Sequence, residues 1–509
     1  MANFKALFVI LCLSLPVFWI ARRSACEFAT NEVDFLRRRN FWIFLTVLAF
    51  ASHNFWIYVV VASFVLAMGA RHEPNRLALY VALMMAVPSF GATIQGFAGI
   101  QQFLQINHLR LLSAIILIPA YLYIRRQTNV LPFGRTAADK CLLGYIMLQL
   151  LLQFSVSSLT ALVRYSIYSF LDIFLPYYVA SRGLRDIHYY RDALTTLVLA
   201  IVIMAPIAVF EYLRHWLLYS ELAGSMGVVD GMGSYMGRSE ALRAQASTGH
   251  SIVLGYAVTV ALGALLYVRR LFSSKALVVL ALILLFATFV ATGARGPWVG
   301  AAAVLAVVLI TGPDRMMRIS KGLLIVVPVV IILSLTPFGI NLFETLPFIG
   351  SVDIESIDYR RRLFDISMVV IWQNPLFGAF DYLVNPTMQE LIQGDGIIDV
   401  VNSFLGVALT YGFVGLALFC GVFACAGISV WRVLRTTETT SELSLLGRSL
   451  LAMLAGILVT IVTVSSIGFI PWMYWIVAGM CVGYSQLIPE GQMQYAIRTK
   501  GDLGSNAPA

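Results

Sequence analysis

Apolar runs of near membrane-spanning length, separated by short polar breaks, make up most of this chain. They fall near residues 6–20, 54–69, 77–90, 109–124, 141–158, 160–180, 193–212, 251–268, 276–293, 298–311, 322–338, 403–427, 447–466 and 467–487. A perpendicular helical span needs about 20 residues, so the shorter runs must extend into their flanks. A further apolar segment at 41–51 is divided from the next by Ser52-His53-Asn54. It forms either a hairpin with that run or one kinked span. The pattern predicts an all-α polytopic membrane protein of about 13–15 transmembrane helices. Residues 6–20 resemble a signal-peptide core, but Arg22 and Arg23 follow directly, which disfavours cleavage and keeps the segment as a span. Residues 1–487 then form a single transmembrane domain, and 488–509 a disordered cytoplasmic tail.

One long stretch breaks the pattern. Residues 339–402 carry nine acids and three arginines, the run Arg360-Arg361-Arg362. Leu363, Phe364, Val370 and Trp372 recur there at near-helical spacing, which predicts a helix over 359–372 lying on the membrane surface. A second helix is expected over 386–393, with Asn385 as N-cap, Pro386 in the first turn and Gly394 as the stop. Together they would cover the mouth of a membrane cavity as an active-site lid.

Composition agrees with the pattern. The chain of 509 residues is 60% apolar and 12% charged, against roughly 25% charged in soluble domains. The formal net charge of +9 is read as loop orientation rather than nucleic-acid binding, because its carriers alternate. Basic clusters lie at Arg37–Arg39, Arg71/Arg76, Arg125–Lys140, Arg182–Arg191, Arg269–Lys275, Arg315–Lys321 and Arg432/Arg435. From residue 70 onward they occupy alternate connections, which the positive-inside rule makes cytoplasmic. The loops at 89–108, 213–250 and 339–402 then face outward, together with the turn in "ATGARGPWVG" (291–300) that holds Arg295. An arginine on that face opposes the orientation bias and calls for another explanation. The six cysteines form no CxxC pair and are read as small buried hydrophobes. His53, His72, His108, His188 and His215 stand singly, as hydrogen-bonded interface residues.

The outward face gathers the candidate chemistry: Arg243, His250, Arg295, Arg360–Arg362, Asp395, Asp399 and Asn402. Arginines grip phosphate oxygens in bidentate fashion, so the set suits an anionic headgroup such as a diphosphate. A carboxylate among them suits a general base acting on an acceptor hydroxyl. No metalloprotease, P-loop, nucleophile-elbow or dinucleotide motif is present. Asp353 and Glu355 only loosely resemble a metal-binding acidic pair, and neither metal nor cofactor is expected.

"STGHSIVLGY", "TGARGPWVG", "RRRLFDISMVVIWQNPLFG" and "VNSFLGVALTYGFVGL" make the stretch of about 200–430 resemble the O-antigen ligase/O-antigen polymerase family. "NHLRLLSAIILIPAYL" is similar to members from exopolysaccharide gene clusters. The resemblance implies a GT-C-like membrane fold in the bacterial inner membrane. It also implies transfer of a glycan from a polyprenyl diphosphate carrier at the periplasmic face, with no cofactor. Ligases of the family carry a His-[Asn/Ser/Gln] pair followed by spaced glycines. Asn402, Gly412 and Gly415 match, but Val401 holds the histidine position. Either Asp399 or Asp395 takes the base role, or the step needs no protein base. The departure favours a polysaccharide polymerase over a ligase acting on lipid A core or protein. A lipid-linked oligosaccharide flippase is the alternative of another class; it needs charges along its pathway and usually a repeat. The implied partners are the lipid-linked oligosaccharide, membrane lipids, and other polysaccharide-assembly and chain-length proteins; none is a nucleic acid.

Overall fold

The computed structural model describes residues 2–96, 102–156, 158–228, 237–238, 241–272, 274–312, 354–392 and 398–487. Among them, nine helices are long and apolar enough to cross a membrane, and strand is confined to two short hairpins. The protein is an all-α polytopic membrane protein. The expected span at 322–338 and the tail at 488–509 lie outside the described residues.

The N-terminal helices are α1 (Ala2–Phe28), α2 (Glu32–Ala51) and α3 (Phe55–Gly69). Of the two readings of Ser52-His53-Asn54, the structure takes the hairpin. His53 adopts a left-handed φ of 47°, and the Asn54 side chain caps α3 by accepting from the Trp56 and Ile57 amides. The 77–90 run is not one continuous helix, and its end, Phe90, packs against Phe55 at the start of α3. Only α4 (Arg76–Leu83) is helical there, and Leu77–Leu83 are all buried. At 1.5 Å per residue, α4 is about 12 Å long. Its apolar sequence reflects burial among other helices, a signal that lipid burial mimics. The connection expected at 89–108 contains the antiparallel strands β1 (Gly91–Gln95) and β2 (Gln102–Asn107).

The middle of the chain runs through α5 (His108–Arg125), α6 (Ala137–Val156), α7 (Leu159–Tyr168) and α8 (Leu175–Gly183). A π-helical turn, Ser169–Phe174, joins α7 to α8. Then come α9 (Ile187–Arg214), α10 (Ser251–Val268), α11 (Lys275–Thr292) and α12 (Arg295–Thr311). Beyond the long polar stretch with α13 (Ile354–Gln373) and α14 (Pro386–Gln389) follow α15 (Ser403–Thr436), α16 (Glu442–Ile461) and α17 (Ile470–Ser485). Helices α10 and α17 are enclosed along most of their length, as are the short α4 and α8, and α12 and α16 pack closely beside α10. Cys481 is buried here, but Cys12 and Cys420 are exposed on their helices, so the expectation of buried cysteines holds only in part. Apolar surroundings on a span include its outer face.

Connections separate into two groups. At one end the basic clusters meet acids. Arg38 bonds Glu73 at 2.5 Å and Asp192 at 2.6 Å. Arg182 bonds Asp139 at 2.5 Å, and Arg191 bonds Glu442 at 2.5 Å. The 52–54 turn lies at the other end, where the Phe55 amide donates to the Met226 carbonyl of the 213–250 loop. This sorting is the one the alternation of basic clusters implies.

Candidate functional site

The loop carrying Arg243 and His250 is fixed from beneath. Glu211, buried near the end of α9, accepts from the Leu218, Gln245 and Ala246 amides at 3.0, 2.9 and 2.8 Å. Three backbone donors on one carboxylate satisfy a charge that would otherwise be costly to bury. Ala246 is held at a φ of 46°, a conformation that costs a non-glycine residue of order 1 kcal/mol or more. The Ser247 hydroxyl donates to the Met85 carbonyl at 2.6 Å, and that of Thr248 to the Gln245 carbonyl at 2.7 Å. His250 caps α10, its Nδ1 accepting from the Ile252 amide at 3.2 Å. In neutral imidazole the proton therefore sits on Nε2. His250 is thus arranged to donate a hydrogen bond, not to abstract a proton. Burial first, and then Arg243, push its pKa down to about 4, with Asp399 opposing.

The turn holding Arg295 is tighter than its sequence suggests. Gly293 ends α11 at a φ of 55°, Ala294 is extended, and Arg295 is the first residue of α12. Gly296 and Pro297, although they flank Arg295 in the sequence, do not shape this turn. They lie in the first turn of α12, where a Cβ on Gly296 would sit 2.4 Å from the Thr463 hydroxyl. Small size there lets the helix start press against the segment after α16. Arg243 packs over Gly293 and donates from Nε to the Thr292 carbonyl at 3.1 Å, a cation at the negative end of α11. The Ala244 amide adds a bond to the Ala291 carbonyl at 2.9 Å.

A third group comes from either side of α15. The Ser465 hydroxyl donates to Asp399 Oδ1 at 2.6 Å, and the Tyr359 hydroxyl of α13 donates to the Asp399 backbone carbonyl at 3.0 Å. Asn402 caps α15, its side-chain oxygen accepting from the Phe404 and Leu405 amides at 3.0 and 3.1 Å. That oxygen is committed to the helix start. The Arg360 guanidinium is pushed below its ordinary value by burial and by Arg295, while Asp399 opposes. Arg360, Arg361 and Arg362 are all exposed on α13. Asp395 and Asp353 lie outside the described residues.

The structure therefore couples His250 with Arg243 and Asp399, and Arg360 with Asp399 and Arg295, from four separate segments. Ser465, Tyr359 and Glu211, which orient this group, do not stand out in the sequence. Their role depends on which loops share one end of the bundle. Among the described residues no group of three or more His, Cys, Asp or Glu is placed to hold a metal.

The expected surface helix exists as α13, and it has two faces. Leu363, Val370 and Ile371 are buried against Met388, Leu391, Leu405 and Leu409, while Phe364 and Trp372 are exposed. The second helix is shorter than the expected 386–393 and covers Pro386–Gln389. What anchors α13 is a break in α15. Gly412 has a φ of 65° and a ψ of −168° within the helix. The chain after α13 fills the gap: the Phe413 and Val414 amides donate to the Pro375 and Leu376 carbonyls, and the Ala379 amide donates to the Leu409 carbonyl. A Cβ on Gly412 would lie 2.3 Å from the Leu376 backbone. The glycine is required by close backbone approach as well as by its φ.

Residues 280–420 match the model of a family described as O-Antigen ligase, which bears out the resemblance to the O-antigen ligase/polymerase family. The matched stretch contains Arg295, Arg360–Arg362, Asp399, Asn402 and Gly412, whereas Arg243, His250 and Ser465 lie outside it. No curated protein matches the chain.

Proposed function

We propose that the chain is a polysaccharide polymerase of the bacterial inner membrane. It transfers a glycan from a polyprenyl diphosphate carrier to a hydroxyl of a lipid-linked repeat unit at the periplasmic face. The supporting observation is the meeting of Arg243, His250, Arg295 and Arg360 around Asp399 within and beside a stretch matching a glycan ligase family. The acceptor oxygen bonds to the anomeric carbon while the carbon–oxygen bond to the diphosphate breaks. The electron pair passes to a diphosphate oxygen, and the hydroxyl proton passes to a carboxylate. Asp399, oriented by Ser465, is the described candidate for that base, with Asp395 the second. Arginines set before charge develops stabilise the departing diphosphate, the arrangement that lowers a barrier most. Arg295, rigid at a helix start, and Arg360 are assigned this role. Arg243, His250 and Asn402 position substrate, with Arg361 and Arg362 at the rim.

Val401 carries an apolar side chain where the ligases of the family have histidine, and it packs on the α13 cluster. It supports polymerase over ligase. The test incubates the purified full chain with a lipid-diphosphate oligosaccharide alone. A ladder of products supports the polymerase. Product that forms only with a second acceptor class makes the protein a ligase. Movement of lipid between leaflets without new glycosidic bonds overturns the enzyme reading.

A further inference from the structure

The opposite end of the molecule holds a second basic feature, remote from Asp399. A cleft of about 330 Å³ opens between the start of α4 and the ends of α5 and α8, and is lined by Arg71, His72, Arg76, Tyr123, Arg185 and Tyr189. Its arginines differ from their neighbours. Arg37, Arg38, Arg182 and Arg191 each bond a carboxylate. Among the described residues Arg71, Arg76 and Arg185 form no ion pair. Instead Arg76 and Arg185 both lie against the Tyr123 ring, at 5.5 and 5.7 Å from its centroid.

Arg76 is half-buried at the cleft wall, against the Tyr123 ring, with no carboxylate among the described residues to match its charge. Burial lowers its proton affinity, and Tyr123 is the one group that counters. The acids nearby are committed elsewhere. Glu73, on the cleft wall, holds Arg37 and Arg38, and Asn75 gives its amide to Tyr189 and Asp192. The adjoining network has three carboxylates (Asp34, Glu73, Asp192) and two guanidiniums (Arg37, Arg38). That leaves one negative charge against the three arginines of the cleft.

We propose that this cleft is an anion site for a phosphoryl group, gripped by Arg76 and Arg185 across the Tyr123 ring with Arg71 and His72 at its mouth. A guanidinium offers two parallel donors to two phosphate oxygens, and the cleft gathers three such groups that no described carboxylate engages. The same chemistry is presented by an anionic phospholipid headgroup and by a soluble phosphate compound. The site is independent of the glycan-transfer reading.

The full chain is tested in two arms. In nanodiscs containing phosphatidylcholine with or without phosphatidylglycerol, native mass spectrometry counts retained phosphatidylglycerol. In detergent, inorganic phosphate is titrated calorimetrically. Arg76→Gln and Arg185→Gln are compared with Arg270→Gln, an exposed arginine outside the cleft. Loss of one charge-assisted contact should weaken binding about tenfold or more. Retention of phosphatidylglycerol that falls in both cleft variants assigns a lipid. Saturable phosphate binding that falls in the same variants assigns a soluble anion. Arg185 is exposed, so its substitution keeps the test readable if Arg76→Gln fails to fold. Binding in neither arm, or cleft variants indistinguishable from Arg270→Gln, overturns the proposal.

Discussion

The residues around Asp399 and the network around Arg38 and Arg182 handle arginine in different ways. At the basic end most buried guanidiniums are matched by carboxylates of neighbouring helices: Arg38 by Glu73 and Asp192, Arg182 by Asp139. At the site end, like charges are held near each other. Burial and then Arg243 lower the His250 imidazole, with Asp399 opposing; burial also lowers the Arg360 guanidinium, where Asp399 opposes more strongly than Arg295 adds. Clustering of cations is unfavourable to folding, since like charges disfavour one another's charged forms. A matched arginine can be understood as structure. The reading proposed above gives the cluster held by a buried glutamate, a strained alanine and a glycine turn its reason, an anionic substrate.

Removing the centre of the site end should have the largest effect. Asp399→Asn keeps the shape and still accepts from Ser465, but it cannot take a proton. If Asp399 is the base, transfer should fall about 10²–10⁴-fold with expression unchanged. Product assays on the purified variant check this, and near-normal rates would pass the base role to Asp395 or remove it. The counterpart at the basic end is Arg182→Ala. Both side chains of the Arg182–Asp139 pair are fully buried, so the variant strands a carboxylate. Breaking a buried pair in this way costs about 3–5 kcal/mol. The expected result is a much lower melting temperature with transfer per folded molecule unchanged. A variant that stays stable but loses transfer would erase the distinction between the ends.

How far this contrast is legible in the sequence depends on the kind of signal. Charge alternation identifies which connections share an end, because lipid enforces it along the whole chain. The same alternation places Arg243, His250, Arg295 and Asp399 on one face. Hydropathy does not show that 77–90 is helical only as far as Leu83, since a helix and the irregular segment that follows it are equally apolar. Glu211 and Ser465 escape notice altogether. One is an acid inside an apolar helix and the other a serine in a short connection. Each acquires its role through a backbone group or a carboxylate distant in sequence, 34 residues from Gln245 in the first case and 66 from Asp399 in the second. Gly412 is visible as a motif match. Its reason, a broken helix receiving the chain after α13, requires two backbones to meet, and no local pattern records that.

Arg295 sharpens the comparison at intermediate scale. As a leaving-group clamp, its loss in Arg295→Ala should lower transfer by roughly 10²-fold or more, by analogy with other removed transition-state donors. Arg295→Lys keeps the charge without the planar fork and should recover part of the rate. Thermal stability should change little, in contrast to Arg182→Ala. Lost expression in both variants would place Arg295 with the structural arginines of the other end.

The smallest effect concerns pH. With its pKa held near 4 rather than the ordinary 6.5, His250 stays neutral in the folded protein between those values, while the unfolded chain takes up a proton. Stability from this residue is therefore complete above about pH 6.5 and drains away as pH falls toward 4. Because Nδ1 is occupied by the helix cap, protonation means losing that bond, and the loop carrying Arg243 should loosen with it. In His250→Asn the side chain can still cap α10, but it has no proton to gain. The variant should show a flatter decline in melting temperature from pH 6.5 to 4 than the parent, with transfer at pH 7 changed only about two- to tenfold by the lost Nε2 donor. Identical acid profiles for the two proteins would mean that burial and Arg243 together do not hold the His250 imidazole below its ordinary range.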